Sequence, residues 1–214
     1  MISRRLRKIV DWIDGSVLAD IGCDHAYVAI AAVQEHRVNK AYACDIAPGP
    51  LQRAAENIRA QNLDGQIECR LQTGIEGLPE AVDIIVIAGM GGRTIQDILS
   101  KGQIREQTFL ISPHNHAADL RMYLQAHGLH ILREQLITEG NHAYPILEVK
   151  KKDTIQPMTA FEIEYGKNVC NREEFQTYLD RLEQKYKTLL KQVPPEKNGE
   201  LVQKLECLKK RDTL

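Results

Sequence analysis

Val17-Leu18-Ala19-Asp20-Ile21-Gly22-Cys23-Asp24-His25 is the stretch on which the reading of this chain turns. Its apolar start suits a strand covered on both faces, Gly22 permits a tight turn or a close approach to a ligand, and the alanine-rich segment from Tyr27 to His36 favours helix. An ordinary strand-to-helix turn would satisfy the same string. What points to a ligand loop is the polar cluster Asp20, Asp24 and His25 at the strand's carboxyl end, where open α/β sheets bind their ligands.

The loop resembles a dinucleotide fingerprint with most of its glycines missing. Cys23, Asp24 and His25 place side chains where a pyrophosphate needs bare backbone, and the two aspartates would repel it. A ligand carrying an ammonium and a sulfonium but no phosphate suits such a loop, which describes S-adenosyl-L-methionine.

The elements beyond the loop supply its context. Ser3 to Ile13 is an amphipathic helix with Leu6, Ile9, Val10 and Ile13 on one side, and Arg4, Arg5, Arg7 and Lys8 are expected on a cationic exposed face, either solvated or phosphate-contacting. Ala41 to Cys44 is a second strand ending in Asp45, where nucleotide folds hold ribose hydroxyls. Pro48 to Asn62 reads as helix and Gln66 to Leu71 as strand, with Thr73 and Gly74 in the following loop. The β-branched run Asp83 to Ile87 suits the sheet centre and leads into Ala88-Gly89-Met90-Gly91-Gly92, whose glycines would let a bulky ligand lie on bare backbone. After the helix Arg93 to Lys101, Phe109 to Ile111 is a fifth strand ending in Ser112-Pro113-His114-Asn115. The helix Ala117 to His127 then leads to two apolar strands around Ile131 to Ile137 and Ile146 to Val149, joined at 138–142 as an antiparallel hairpin edge. This alternation predicts a doubly wound α/β domain over 1–168. From Arg172 the apolar spacing becomes helical, and Pro194-Pro195 and Asn198-Gly199 divide 169–214 into a C-terminal α-helical hairpin bearing Lys185 and Lys191 among its cations.

Composition narrows the class. The chain has 214 residues and a formal net charge of −1, so any nucleic-acid role must rest on local patches. Five cysteines without a C-x-x-C pair argue against a zinc site or disulfide framework, and no metal is expected. No apolar run approaches a membrane span and the basic start lacks a signal-peptide core, so no membrane partner and a cytoplasmic location are expected. The oligomeric state stays open, with a monomer favoured.

Taken together, Ala19-Asp-Ile-Gly-Cys-Asp-His-Ala-Tyr27, Ile87-Ala-Gly-Met-Gly-Gly92 and the Pro113/Asn115 pair make the chain similar to the bacterial tRNA (adenine-N1) methyltransferases that modify the adenine at tRNA position 22. The resemblance implies a class I, Rossmann-like methyltransferase sheet, S-adenosyl-L-methionine as donor, and a helical appendage that engages tRNA. By their places at the strand ends, Asp20, Gly22, Asp24, His25, Asp45, Thr73, Gly74, Ala88, Gly89 and Met90 are expected on the cofactor, and His25, Tyr27 and Asn115 on the target base, while His25 could equally cap the loop and Pro113 and Asn115 shape a turn. Arg4, Arg5, Arg7, Lys8, Pro113, Lys185 and Lys191 are expected on the tRNA. Thr73 departs from the family's pattern in the loop expected on the cofactor's adenine, where its hydroxyl or the neighbouring backbone would take over, and Ser112 and Pro145 depart further on, which leaves open a methyltransferase acting on another RNA or a non-RNA substrate. A non-catalytic cofactor-binding RNA adaptor is the alternative from another class.

Overall fold

The computed structural model describes residues 2–140 and 142–213. Seven strands form one sheet in the order β3-β2-β1-β4-β5-β7-β6. These are β1 (Val17–Ile21), β2 (Lys40–Asp45), β3 (Ile67–Leu71), β4 (Ile84–Met90), β5 (Thr108–Pro113), β6 (Leu129–Glu139) and β7 (His142–Lys151). The first five run parallel, and β7 lies antiparallel to both β5 and β6. The expected hairpin thus forms the sheet's edge, with its second strand inserted beside β5. Of the expected turn, Asn141 lies outside the described residues.

The helices are α1 (Arg4–Trp12), α2 (Tyr27–Gln34), α3 (Pro48–Ala60), α4 (Gly92–Lys101), α5 (Ala117–Ala126), α6 (Ala160–Tyr165), α7 (Arg172–Leu190) and α8 (Gly199–Lys209). Strand periodicity sends alternate residues to opposite faces. On one face Leu18, Ile84, Val86 and Leu110 meet Ile9, Val33 and Ile58 from the first three helices. On the other, Ile85, Ile87, Phe109 and Ile111 meet Ile95, Leu99, Leu120 and Leu124 from α4 and α5. The β-branched run of β4 is buried on both sides for this reason, and it carries the ligand-side residues Ala88, Gly89 and Met90 on its end.

The short helix α6 had no counterpart in the apolar periodicity, although its capping box is legible. The Thr159 hydroxyl accepts from the Glu162 amide and the Glu162 carboxylate accepts from the Thr159 amide. Phe161 and Tyr165 of α6 pack with Leu179 and Leu208 of the C-terminal hairpin. A buried ion pair ties this unit to the sheet: Arg121 Nη2 lies 2.5 Å from Glu134 Oε1, and Arg121 Nη1 donates to the carbonyl of Ile163 at 2.9 Å. Glu134 also accepts from the Lys167 amide at 3.1 Å, and its backbone bonds Asn168 and Cys170.

Candidate active site

Backbone conformations that L-residues seldom adopt gather at the sheet's carboxyl edge. Gly22 (φ +72°), Asp24 (φ +45°), Ala26 (φ +57°), Gly89 (φ +83°) and His116 (φ +53°) all lie there. The loop after β1 is held against β2, since the amides of Gly22 and Cys23 both donate to the Cys44 carbonyl, at 2.8 and 3.0 Å. From α3, Asn57 Nδ2 donates to the His25 carbonyl at 3.0 Å and Arg53 donates to Asp24 Oδ1 at 3.0 Å.

Two hollows of about 360 Å³ each open on this edge. The first is lined by Asp20, Gly22, Asp24, His25 and Tyr27, by Ala88, Gly89 and Met90, and by Arg5 and His114. The second is lined by Asp45, Ile46, Gln72, Thr73 and Gly74, with Thr94, Asp97 and Ile98 of α4. Gly22 and Met90 border both. A Cβ on Gly22 would stand 2.0 Å from Met90 Cε, so the methionine lies across the glycine and separates the hollows.

Electrostatics divides the acids of the loop by role. Asp20 is buried, and desolvation pushes its carboxyl up to about 7, with the Asp45 charge adding to the rise and a hydrogen bond from the Ala29 amide opposing it. Asp45 accepts from the amides of Ala47 at 3.0 Å and Asp24 at 3.4 Å, which fixes its carboxylate at the lip of the second hollow. Asp24 is exposed and its oxygens face Arg53 and His25 Nε2, the latter at 3.5 Å. Burial raises the Cys23 thiol above its usual range, which makes it a packing group and not a nucleophile.

Residues 2–147 match the family model of a methyltransferase domain. The tRNA (adenine(22)-N(1))-methyltransferase of Bacillus subtilis is 32% identical over 157 residues, which make up 71% of this chain and 66% of that relative. Among solved structures, Streptococcus pneumoniae Sp1610 in complex with S-adenosyl-L-methionine superposes with a TM-score of 0.86 at 31% identity, covering 98% of this chain and 99% of that one. M. capricolum TrmK in complex with S-adenosyl-homocysteine gives 0.85 at 29% identity, over 98% and 97%. The chain belongs to the tRNA (adenine-N1) methyltransferase family.

Within this methyltransferase, the sequence-predicted residues divide. His25 and Tyr27 stack with ring centroids 5.2 Å apart and planes 11° from parallel, and Tyr27 is exposed at the mouth of the first hollow. Asn115 is not among the residues lining that hollow. Its Oδ1 lies 2.8 Å from where a Gly91 side chain would begin, and its carbonyl accepts from the Gly92 amide at 3.0 Å. Gly91 and Gly92 are therefore bare to admit the Asn115–His116 loop, and only Gly89 of the three glycines lines the hollow. Pro113 is buried at the end of β5 beside Met90, so it positions its neighbours and presents no face to a substrate.

The cationic face of α1 also needs correction. Arg5 turns inward to line the first hollow, over the Tyr144 ring at 5.1 Å, with its backbone amide donating to Glu139 at 2.8 Å. Desolvation lowers its pKa, and its buried Nε has no hydrogen-bond partner among the described residues. Arg7 is bound to Glu35 and Asp11. Arg4 stays exposed and Lys8 half-buried, while Lys185 and Lys191 are exposed on α7 and just past its end. Among the residues missed altogether are Ile46 at the second hollow and His114 at the first. His114 sits between the noted Pro113 and Asn115, and its signal was only its place at a parallel strand's carboxyl end.

Among the described residues no group of three His, Cys, Asp or Glu could hold a metal, and no helix is long and apolar enough to cross a membrane.

Proposed function

We propose that this chain transfers the methyl group of S-adenosyl-L-methionine to N1 of an adenine in tRNA, at position 22 as the name of its Bacillus subtilis relative specifies. The observation that carries the proposal is the pair of hollows meeting at Gly22, with buried Asp20 and Asp45 in separate halves and the His25/Tyr27 stack at the open mouth. The residues present fit the cofactor, because an acidic, phosphate-free cradle suits its charge and the bare Gly22 backbone admits it closely.

When bound, the cofactor supplies a methyl on a positively charged sulfur, and the N1 lone pair forms the new bond as the sulfur–carbon bond breaks, leaving a neutral thioether and a cationic N1-methyladenine. No protein nucleophile is required, so the chain's work is positioning. Asp20 would hold the cofactor's ammonium in the first hollow, and Asp45 would accept from its ribose hydroxyls in the second. Thr73, Gly74 and Ile46 would border its adenine, while Ala88, Gly89 and Met90, its methyl turned away from Gly22, would form the floor. Asp24 acts on the cofactor through the loop that Arg53 and His25 hold.

N1 lies on the Watson–Crick edge, so the target base must leave its stack before it can react. His25 and Tyr27 offer the surface on which it lands. Arg4, Lys8, Lys185 and Lys191 contact phosphates away from the base, with 169–214 as an arm on the catalytic domain 1–168. One chain holds all these groups, which is consistent with a monomer working in the cytoplasm on tRNA.

Incubation with bulk tRNA and methyl-labelled cofactor, followed by nucleoside analysis, tests the proposal. N1-methyladenosine is the expected product. Label on another nucleoside or another RNA would shift the substrate, and binding of cofactor and tRNA with no transfer would make the chain an adaptor.

A further inference from the structure

The first hollow has two walls, and only one of them belongs to the cofactor loop. Opposite His25 and Tyr27 stands a second group from three separate elements: Arg5 of α1, His114 just past β5, and Tyr144 of β7 behind them. The His114 ring lies 5.4 Å from the Tyr144 ring at 53°, its amide donates to the Met90 carbonyl at 2.8 Å, and Arg5 covers the same tyrosine. Backbone and ring are thus both located, although the displacement at the methyl carbon requires neither.

We infer that His114 reads the target base, accepting a hydrogen bond from the exocyclic amino group of adenine. This rests on the adenine-N1 reading above and adds the group that selects the base. Two imidazoles line the hollow, and they are not equivalent. His25 Nε2 already faces the Asp24 carboxylate at 3.5 Å and its ring is stacked on Tyr27. His114 is in no ion pair with a carboxylate among the described residues.

The charged and titratable groups around His114 are Arg5 from α1, Glu139 from β6 and Tyr144 from β7, with His142 beyond Tyr144, and Asp20, Asp24, His25 and Tyr27 line the same hollow. Burial and the Arg5 guanidinium lower the His114 pKa, partly offset by Glu139, whose nearer carboxylate oxygen accepts the Arg5 backbone amide. A neutral imidazole has one acceptor nitrogen and one donor nitrogen. Presented to adenine's edge, the acceptor pairs with the amino group and leaves the N1 lone pair free for the methyl. His114 is exposed in the free protein, so its ring is open to an incoming base. Guanine presents a carbonyl oxygen there and carries a proton on N1, so the amino group and the free N1 lone pair together mark adenine.

The test compares tRNA transcripts carrying adenine or unsubstituted purine at the target position. Purine keeps N1 but lacks the amino group, and its intrinsic reactivity cancels when the adenine/purine ratio of kcat/KM is compared between wild type and variant. His114→Ala is expected to reduce that ratio about tenfold, the upper end of the range for one hydrogen bond, with cofactor affinity by calorimetry unchanged. His114→Asn keeps an acceptor at the same place and is expected to retain most of the preference. An unchanged ratio in His114→Ala would overturn the inference. So would an equal loss in both variants, which would assign the effect to packing on Tyr144, or a parallel loss of cofactor affinity, which would move His114 to the donor's side. Failure of the wild-type protein to methylate the adenine transcript would instead remove the parent reading, an outcome visible before any variant is made.

Discussion

Replacing Asp20 by Asn should stabilise the cofactor-free protein and weaken its hold on the cofactor at once. Asp20 is 5% exposed, and its carboxyl is raised from 3.8 to about 7 chiefly by desolvation. Between those two values the folded protein keeps a proton that the unfolded chain has released. The stability associated with this group is therefore full below 3.8 and lost as the pH rises through about 7. About three units at 1.36 kcal/mol each set a ceiling of roughly 4 kcal/mol on the cost of the buried charge above neutrality. The Asn side chain still accepts from the Ala29 amide but carries no charge. Urea unfolding should accordingly show a gain of about 2–4 kcal/mol near pH 8 and a clearly smaller one near pH 5. Cofactor affinity should fall about 10- to 100-fold near pH 8, the range for a charge-assisted hydrogen bond. Wild-type affinity should also weaken as the pH falls below about 7, while the variant's pH dependence flattens. An equal stability change at both pH values would refute the buried-charge argument, and unaltered cofactor affinity would take Asp20 out of the ammonium site.

Asp45→Ala should weaken cofactor binding by about 1.5–3 kcal/mol in calorimetry with a nearly unchanged melting temperature, because its partners are loop amides at the surface of the second hollow. Gly22→Ala places a side chain at positive φ and against Met90, so a loss of about 1–2 kcal/mol in unfolding and at least tenfold in cofactor affinity is expected; a neutral result in both would show that the cofactor does not approach Gly22. Tyr27→Phe and His25→Ala should lower turnover more than cofactor affinity, and proportional losses would move either residue to the donor's shell. Lys185→Glu with Lys191→Glu should weaken tRNA binding and flatten its salt dependence, by about 0.7–0.9 in slope for each phosphate no longer neutralised. Charge reversal is the cleaner probe of the arm, because deleting it would strip Phe161 and Tyr165 of Leu179 and Leu208.

The parallel half of the sheet was legible because its strands are short apolar or β-branched runs with polar ends, a pattern that burial on two faces dictates. The acids Asp20 and Asp45 were legible for the same reason, since a strand's carboxyl end is a position in sequence as well as in space. What could not be read locally was depth. Amphipathic spacing grouped Arg5 with Arg4 and Lys8, but the helix axis carries Arg5 over the end of the sheet. The glycines of 89–92 read alike as bare backbone, yet two of them accommodate a loop from β5 that only the fold brings near. The insertion of β7 between β5 and β6 likewise depends on pairing that no window of sequence contains. Helix α6 was a different case, a capping box too short for periodicity to detect.

Met90 bears on how the site fills and empties. Its methyl end occupies the concavity over Gly22 that a ligand spanning both hollows must enter. The protein thus carries a tethered competitor for its own site, and the affinity observed for any such ligand is the intrinsic one scaled by the fraction of time the methionine is swung aside. An unbranched thioether changes rotamer at little cost, so this competitor yields readily on entry and returns on departure.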